Sequence, residues 1–162
     1  MKRIDKTNYY LDIAEAALER STCLRRCFGA VIVKDDEIIS TGYNGAPRGR
    51  KNCVDIGTCV REKLNIPRGE RYELCRSVHA EQNAIISAPR KDTIGSTMYL
   101  VGKDAKTGKY VENGMPCSLC KRFIINAGIV KIVHRDTKTK YRVIDVNDFI
   151  ENDESLEGTF GY

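Results

Sequence analysis

Apolar residues fall at Tyr10, Leu11, Ala14, Ala17 and Leu18 within residues 8–20, a three-and-four spacing that draws one stripe on a helix. Residues 28–33 read differently, as a short, unbroken, β-branched-rich run that predicts a buried strand. Lys34-Asp35-Asp36-Glu37 is a polar turn, and residues 38–43 predict a second strand completing a hairpin. The pattern then lapses. Residues 44–75 are polar, with Gly, Pro and three cysteines, and predict at most a short helix at 60–64. A loop this long inside a compact domain needs something to tie it down. Regular structure resumes with a helix at 77–88, whose apolar face is Ala80, Ala84, Ile85 and Ala88 and which Pro89 stops. A strand at 97–101 leads into a polar insertion at 102–114, with hairpin chemistry around Thr107-Gly108. A helix at 116–126 has Pro at its start and Gly128 past its end, followed by strands at 130–134 and 142–146 and a helical turn at 147–152. Strands alternating with helices predict one α/β layered domain spanning 1–162.

Composition narrows the function. With 162 residues, 41% hydrophobic and 30% charged, the chain can bury a core and is not disordered. No apolar run approaches membrane-spanning length, and Asp5 and Lys6 interrupt the place where a signal peptide's apolar segment would lie. We therefore expect no membrane association and a cytoplasmic protein. The net charge of +5 is mild. It suits a small phosphate-bearing substrate, and with no Trp and no basic tract interleaved with aromatics it does not call for nucleic acid. Seven cysteines, an odd number without an export signal, point to metal or catalysis rather than to a disulfide framework.

His79-Ala80-Glu81, followed by Pro116-Cys117-Ser118-Leu119-Cys120, supplies the chemistry. One imidazole and two thiolates are three zinc ligands, the number that leaves a catalytic ion an open position. A Cys-x-x-Cys at a helix start directs both sulfurs to one ion, and the helix N-terminus favours thiolate. Zinc makes water nucleophilic near neutral pH. Glu81, which need not share a helix face with His79, is placed to carry protons between that water and a substrate. The combination is the signature of zinc nucleobase deaminases. Alone, the Cys-x-x-Cys would suggest redox chemistry or a structural zinc, and the His-x-Glu would carry almost no information.

These residues give the chain a resemblance to the deoxycytidylate (dCMP) deaminase branch of the cytidine deaminase superfamily. It covers about residues 8–135 and rests on four stretches, 28–33, Ser40-Thr41-Gly42-Tyr43-Asn44-Gly45-Ala46-Pro47, His79-Ala80-Glu81-Gln82-Asn83-Ala84 and 116–120. The zinc motifs specify the superfamily, and Gly-Tyr-Asn-Gly-x-Pro with the cysteine-bearing segment after it points to the dCMP branch. The resemblance implies a three-layer α/β/α fold around a central mixed five-stranded sheet. It implies His79, Cys117 and Cys120 on zinc, Glu81 as proton shuttle, and hydrolysis of dCMP to dUMP and ammonia, the precursor step for thymidylate synthesis. It implies that Asn44 contacts the substrate sugar, whereas the residues alone favour a turn in Asn-Gly. It further implies a homo-oligomer, a dimer or hexamer, with dCTP and dTTP as possible effectors near residues 42–47.

Cys23, Cys53, Cys59 and Cys75 remain, with Cys27 set aside as unligated. Four thiolates would close a structural zinc and pin the long loop. Some relatives carry a second zinc with cysteines matching Cys23 and Cys53, and buried free thiols are the alternative. Arg25 and Arg26 are candidates for a 5′-phosphate, with solvated arginine the blander reading, and Arg48 and Arg50 share the ambiguity. His134 reads as a sheet-end side chain. Relatives use a tyrosine shortly after the strand ending near His134 to contact substrate. In this chain Tyr141 or Lys138 would take that place. Two rivals stay open: deamination of another nucleoside, nucleotide or base, and a non-catalytic zinc-stabilised nucleotide-binding module.

Overall fold

The run Ala30-Val31-Ile32-Val33 lies at the centre of the molecule, buried on both sides. The computed structural model describes residues 1–153 and 155. Helix α1 (Lys6–Leu18) is followed by strands β1 (Arg26–Lys34) and β2 (Glu37–Tyr43). The turn between the strands places Asp35 and Asp36 at φ of 50° and 64°, the doubly left-handed turn that matches strand twist. Short helices α2 (Cys53–Ile56) and α3 (Val60–Lys63) and a 3-10 turn at Tyr72–Leu74 punctuate the next segment. Then come α4 (Ala80–Ile86), α5 (Arg90–Thr93), β3 (Thr97–Asp104), α6 (Ser118–Ala127), β4 (Lys131–Arg135), β5 (Tyr141–Asp145) and α7 (Asn147–Glu151).

The five strands form one mixed sheet in the order β2-β1-β3-β4-β5, with β3 and β4 parallel and the other pairs antiparallel. Side chains alternate across it. Val31, Val33, Val101 and Val133 pack under Leu11, Ala14 and Leu18 of α1. Ala30, Ile32, Met98, Leu100 and Ile132 pack under Ala80 and Ala84 of α4 and Cys120, Ile124 and Ala127 of α6. The result is the three-layer α/β/α sandwich expected. Each fully buried Ile or Leu contributes about 1.5–3 kcal/mol. No helix among the described residues is long and apolar enough to cross a membrane.

Three details differ from the sequence reading. Residues 77–79 are extended rather than helical, because Val78 exchanges backbone hydrogen bonds with Gly45 at 2.8 and 3.1 Å. Strand β3 continues to Asp104, because the insertion folds back on it: Val111 N donates to Gly102 O and Asp104 N to Lys109 O, both at 2.9 Å. Pro89, expected to stop a helix, also opens the separate turn of α5. The long segment is tied by a buried arginine, Arg61, which donates to Pro67 O at 2.8 Å and Glu70 O at 2.6 Å. Its guanidinium lies 4.4 Å over the Tyr72 ring.

Candidate active site

Strand β2 sets the position of α4. At Gly42 a β-carbon would stand 2.3 Å from Ala80 O and 2.4 Å from Ala84 N, so only glycine lets the helix backbone lie this close. Ser40 Oγ donates to Ala84 O at 2.7 Å and Asn83 Nδ2 to Tyr43 O at 2.7 Å, locking the contact. His79 is the residue that caps α4, with extended backbone and its N–H on Gln82 Oε1 at 2.9 Å. Cys117 caps α6 in the same way, its sulfur accepting from Cys120 N. Both helix N-termini thus deliver their capping side chains to one point. There His79 Nδ1 lies 3.2 Å from Cys120 Sγ and 3.6 Å from Cys117 Sγ.

His79, Cys117 and Cys120 are the metal-holding group among the described residues, their ligand atoms all within 4.8 Å of one another. A tetrahedral zinc with bonds of about 2.0–2.3 Å sets nitrogen and sulfur ligands roughly 3.5 Å apart, so the separations fit. The donor set, one imidazole and two soft sulfurs, suits the same ion. The electrostatics agree. Contact with the Cys120 thiol pulls Cys117 down, against burial, and His79 adds to the pull; Cys120, sharing that proton, is pushed up. Burial works against a charged His79, yet contacts with Cys117 and Cys75 outweigh it and raise it to about 10. A cation on these ligands would take the place of those shared protons. Glu81 is buried beside them, and burial raises its carboxyl above the usual range.

The site opens into a cavity of about 440 Å³, of the size that accepts a small molecule. Of the positions expected to meet substrate, Asn44 and Arg26 line it. Asn44 is buried: its Oδ1 accepts from Ser21 Oγ at 2.6 Å and Phe28 N at 2.8 Å, and its Nδ2 donates to Arg26 O at 2.8 Å. One amide N–H is left over for a ligand. Lys138 and Tyr141, also expected there, are not part of the cavity wall. Lys138 pairs with Asp12 and Glu15 of α1 at 3.2 and 3.6 Å, and Tyr141 is exposed on edge strand β5. Arg48 and Arg50 also lie outside the wall.

The sequence reading missed Arg68. It lines the cavity with Arg25, Arg26, Arg61 and Lys121, and Glu81 is the wall's one carboxylate among the described residues. Arg25 is paired to Glu62 at 3.2 Å. Arg26 and Arg68 have no ion-pair partner among the described residues, and Arg26 is lowered first by burial and then by Arg68. Two unpaired guanidinium groups held near each other suit an anion. The signal for Arg68 was the long segment itself, which had to fold back somewhere.

The four cysteines of the proposed second zinc are only partly assembled. Cys23, Cys59 and Cys75 line the cavity, Cys53 is buried beside it, and the four do not form a metal-spaced group among the described residues.

The sequence signature described as the cytidine and deoxycytidylate deaminase zinc-binding region matches residues 4–135. The deoxycytidylate deaminase of Mycobacterium phage D29 is 38% identical over 139 residues, covering 83% of this chain and 97% of that protein. The deoxycytidylate deaminase of Schizosaccharomyces pombe is 34% identical over 78% of this chain, which spans only 36% of that longer protein. The dCMP deaminase of cyanophage S-TIM5, solved in complex with dCMP and dUMP, shares the fold: TM-score 0.57, 23% identity, 96% of this chain and 95% of that one.

Proposed function

We propose, on the premise that the chain belongs to the cytidine and deoxycytidylate deaminase family, that it hydrolyses dCMP to dUMP and ammonia. The observation that carries this is one cavity lined by His79, Cys117 and buried Glu81, with Cys120 buried behind them in the same metal-spaced group, and by the unpaired Arg26 and Arg68. Zinc on the three ligands would supply a Lewis acid that makes water reactive near neutral pH. Glu81 does the proton work. Its carboxylate takes a proton from the attacking water and passes it to ring N3, then takes the second proton from the hydroxyl now on C4 and delivers it to the amino group leaving C4. Burial raises this carboxyl above the usual carboxylate range, so it holds a proton more readily than a solvated one, which favours the uptake half of that exchange. Asn44 offers its spare N–H to the sugar, and its other bonds fix its orientation. Arg26 and Arg68 meet the 5′-phosphate and thereby prefer nucleotide to nucleoside.

The same reading extends to a second, structural zinc on Cys23, Cys53, Cys59 and Cys75. Its support is that Cys53 is raised first by burial and then by all three other thiols, so the four sit within electrostatic reach. A homo-oligomer with dCTP and dTTP as effectors belongs to this proposal through the family resemblance; no nucleic-acid partner and a cytoplasmic location belong to it through the composition and charge. The test is ultraviolet absorbance of the purified protein with dCMP, deoxycytidine, CMP and cytosine separately. Loss of signal with dCMP alone is the expected result. Turnover of another compound keeps the chemistry and moves the substrate, and zinc-loaded protein inert to all four refutes the reading.

A further inference from the structure

The insertion between β3 and α6 ends in a stretch that faces the cavity: Val111, Asn113, Gly114 and Met115 all line it, immediately before Pro116 and the metal-site residue Cys117. This stretch is held from one side by the β4–β5 hairpin. Asp136 Oδ1 accepts from Asn113 N at 2.8 Å, with Asn113 in the left-handed region at φ 53°. Arg142 donates through an Nη to Gly114 O at 2.7 Å and reaches Met115 Sδ at 3.8 Å. The two holders are joined to each other, Arg142 Nε donating to Asp136 Oδ2 at 2.6 Å and an Nη lying 3.1 Å from Oδ1. His134 completes the cluster: fully buried, its Nδ1 is 3.2 Å from Asp136 Oδ1 and 3.3 Å from Arg142 Nη. Its other edge backs onto Gly114, where a β-carbon would stand 2.6 Å from Nε2 and 2.9 Å from Cε1.

Resting on the reading of this cavity as a nucleotide site, we propose that Asp136 and Arg142 are positioning residues: acting through the backbone of residues 113–115, they hold the insertion as the cavity wall beside the metal. The geometry supports a role beyond stability. The clamp fixes two successive backbone groups in a chain segment that contributes to neither hydrophobic core. The wall meets substrate next to Cys117, so it shapes the pyrimidine side of the cavity rather than the Arg26–Arg68 side. The hairpin expected to supply a substrate contact therefore acts at one remove, through a loop. A wall displaced by a fraction of an ångström weakens substrate binding while leaving zinc and Glu81 in place.

The test is steady-state kinetics with dCMP on wild type, Arg142→Met, Gly114→Ala and the double variant Gly114→Ala/His134→Ala, each with zinc content and Tm measured. Arg142→Met removes the hold on Gly114 and the pair with Asp136 while keeping side-chain bulk. Gly114→Ala pushes the wall off the same hairpin, its new methyl against His134. Both are expected to raise KM about tenfold with kcat within about twofold and zinc content unchanged. The double variant, with room made for the new methyl, is expected to recover KM toward wild type. An unchanged KM in both single variants, effects that appear only with zinc loss or unfolding, or no recovery in the double variant would overturn the clamp. A wild type inert to dCMP would instead overturn the reading beneath it.

Discussion

Replacing Arg61 by Ala tests how residues 44–75 are held against the cavity. Arg61 is 5% exposed, donates to two carbonyls, and stacks on Tyr72. Each charge-assisted bond contributes about 1.5–3 kcal/mol net and the partly desolvated cation–π contact about 1 kcal/mol. The freed carbonyls can turn to water as the segment opens, so the lower end applies, and the two bonds alone contribute about 3 kcal/mol against local opening. That is roughly a hundredfold in the closed-to-open equilibrium. Global stability should change less, since Arg61 belongs to neither core cluster. Tyr72 also packs edge-on against His79 at 5.2 Å between ring centres, so the opening reaches a metal ligand. Native-state hydrogen exchange should show amides of residues 60–75 exchanging about a hundredfold faster, with KM for dCMP raised severalfold. Arg61→Lys, which keeps an N–H donor for the carbonyls but has no planar face to lay on Tyr72, should recover only part. Exchange within about twofold of wild type would refute the argument, and would favour four thiolates around a second ion as what pins the segment.

Glu81→Gln should lower kcat by about 10²-fold or more while zinc content and Tm stay at wild-type values; full activity would remove Glu81 from the mechanism. Arg26→Ala and Arg68→Ala should each raise KM for dCMP about tenfold or more with zinc content unchanged, as read from steady-state kinetics and metal analysis. Gly42→Ala, which forces α4 off the sheet, should lower both Tm and kcat in melting and activity assays, because this helix carries Glu81 and is capped by His79. Burial would raise the Glu15 carboxyl, yet hydrogen bonds from Lys103, Tyr110 and Arg135 hold it down at about 2. Its stabilisation is therefore complete above the unfolded value of about 4.5 and lost as pH falls through the folded one. Melting curves between those two pH values should decline for wild type and flatten for Glu15→Gln.

The metal site was legible because short spacings decide it. His79 and Glu81 are two residues apart, Cys117 and Cys120 three, and each pair opens a helix whose cap then aims the ligand. The sheet was legible because Ala30-Val31-Ile32-Val33 has no polar face and must be covered on both sides. Arginine defeated the reading. Arg61 and Arg135 are buried at 5% and 1% exposure, against the rule that guanidinium groups stay in water. Arg135 donates through its two Nη atoms to Asp12 and Glu15, each at 2.7 Å, and to Asn8, while its buried Nε has no partner among the described residues. That polar row on α1, one and two turns apart, was the available clue. Lys138 and Tyr141 were placed by their closeness in sequence to His134, but the turn into β5 carries one toward α1 and leaves the other in solvent.

The two capping ligands, His79 and Cys117, are 38 positions apart in the chain. An ion held by both acts as a cross-link, closing a ring that contains α4, β3 and the whole insertion. Closing a ring of that size in a denatured chain removes entropy equivalent to about 4 kcal/mol by the polymer estimate used for disulfides. The reactive centre is therefore also a staple. Stripping the metal would slacken the helices it joins, and the rate at which the ion escapes would set how long the folded enzyme survives heating.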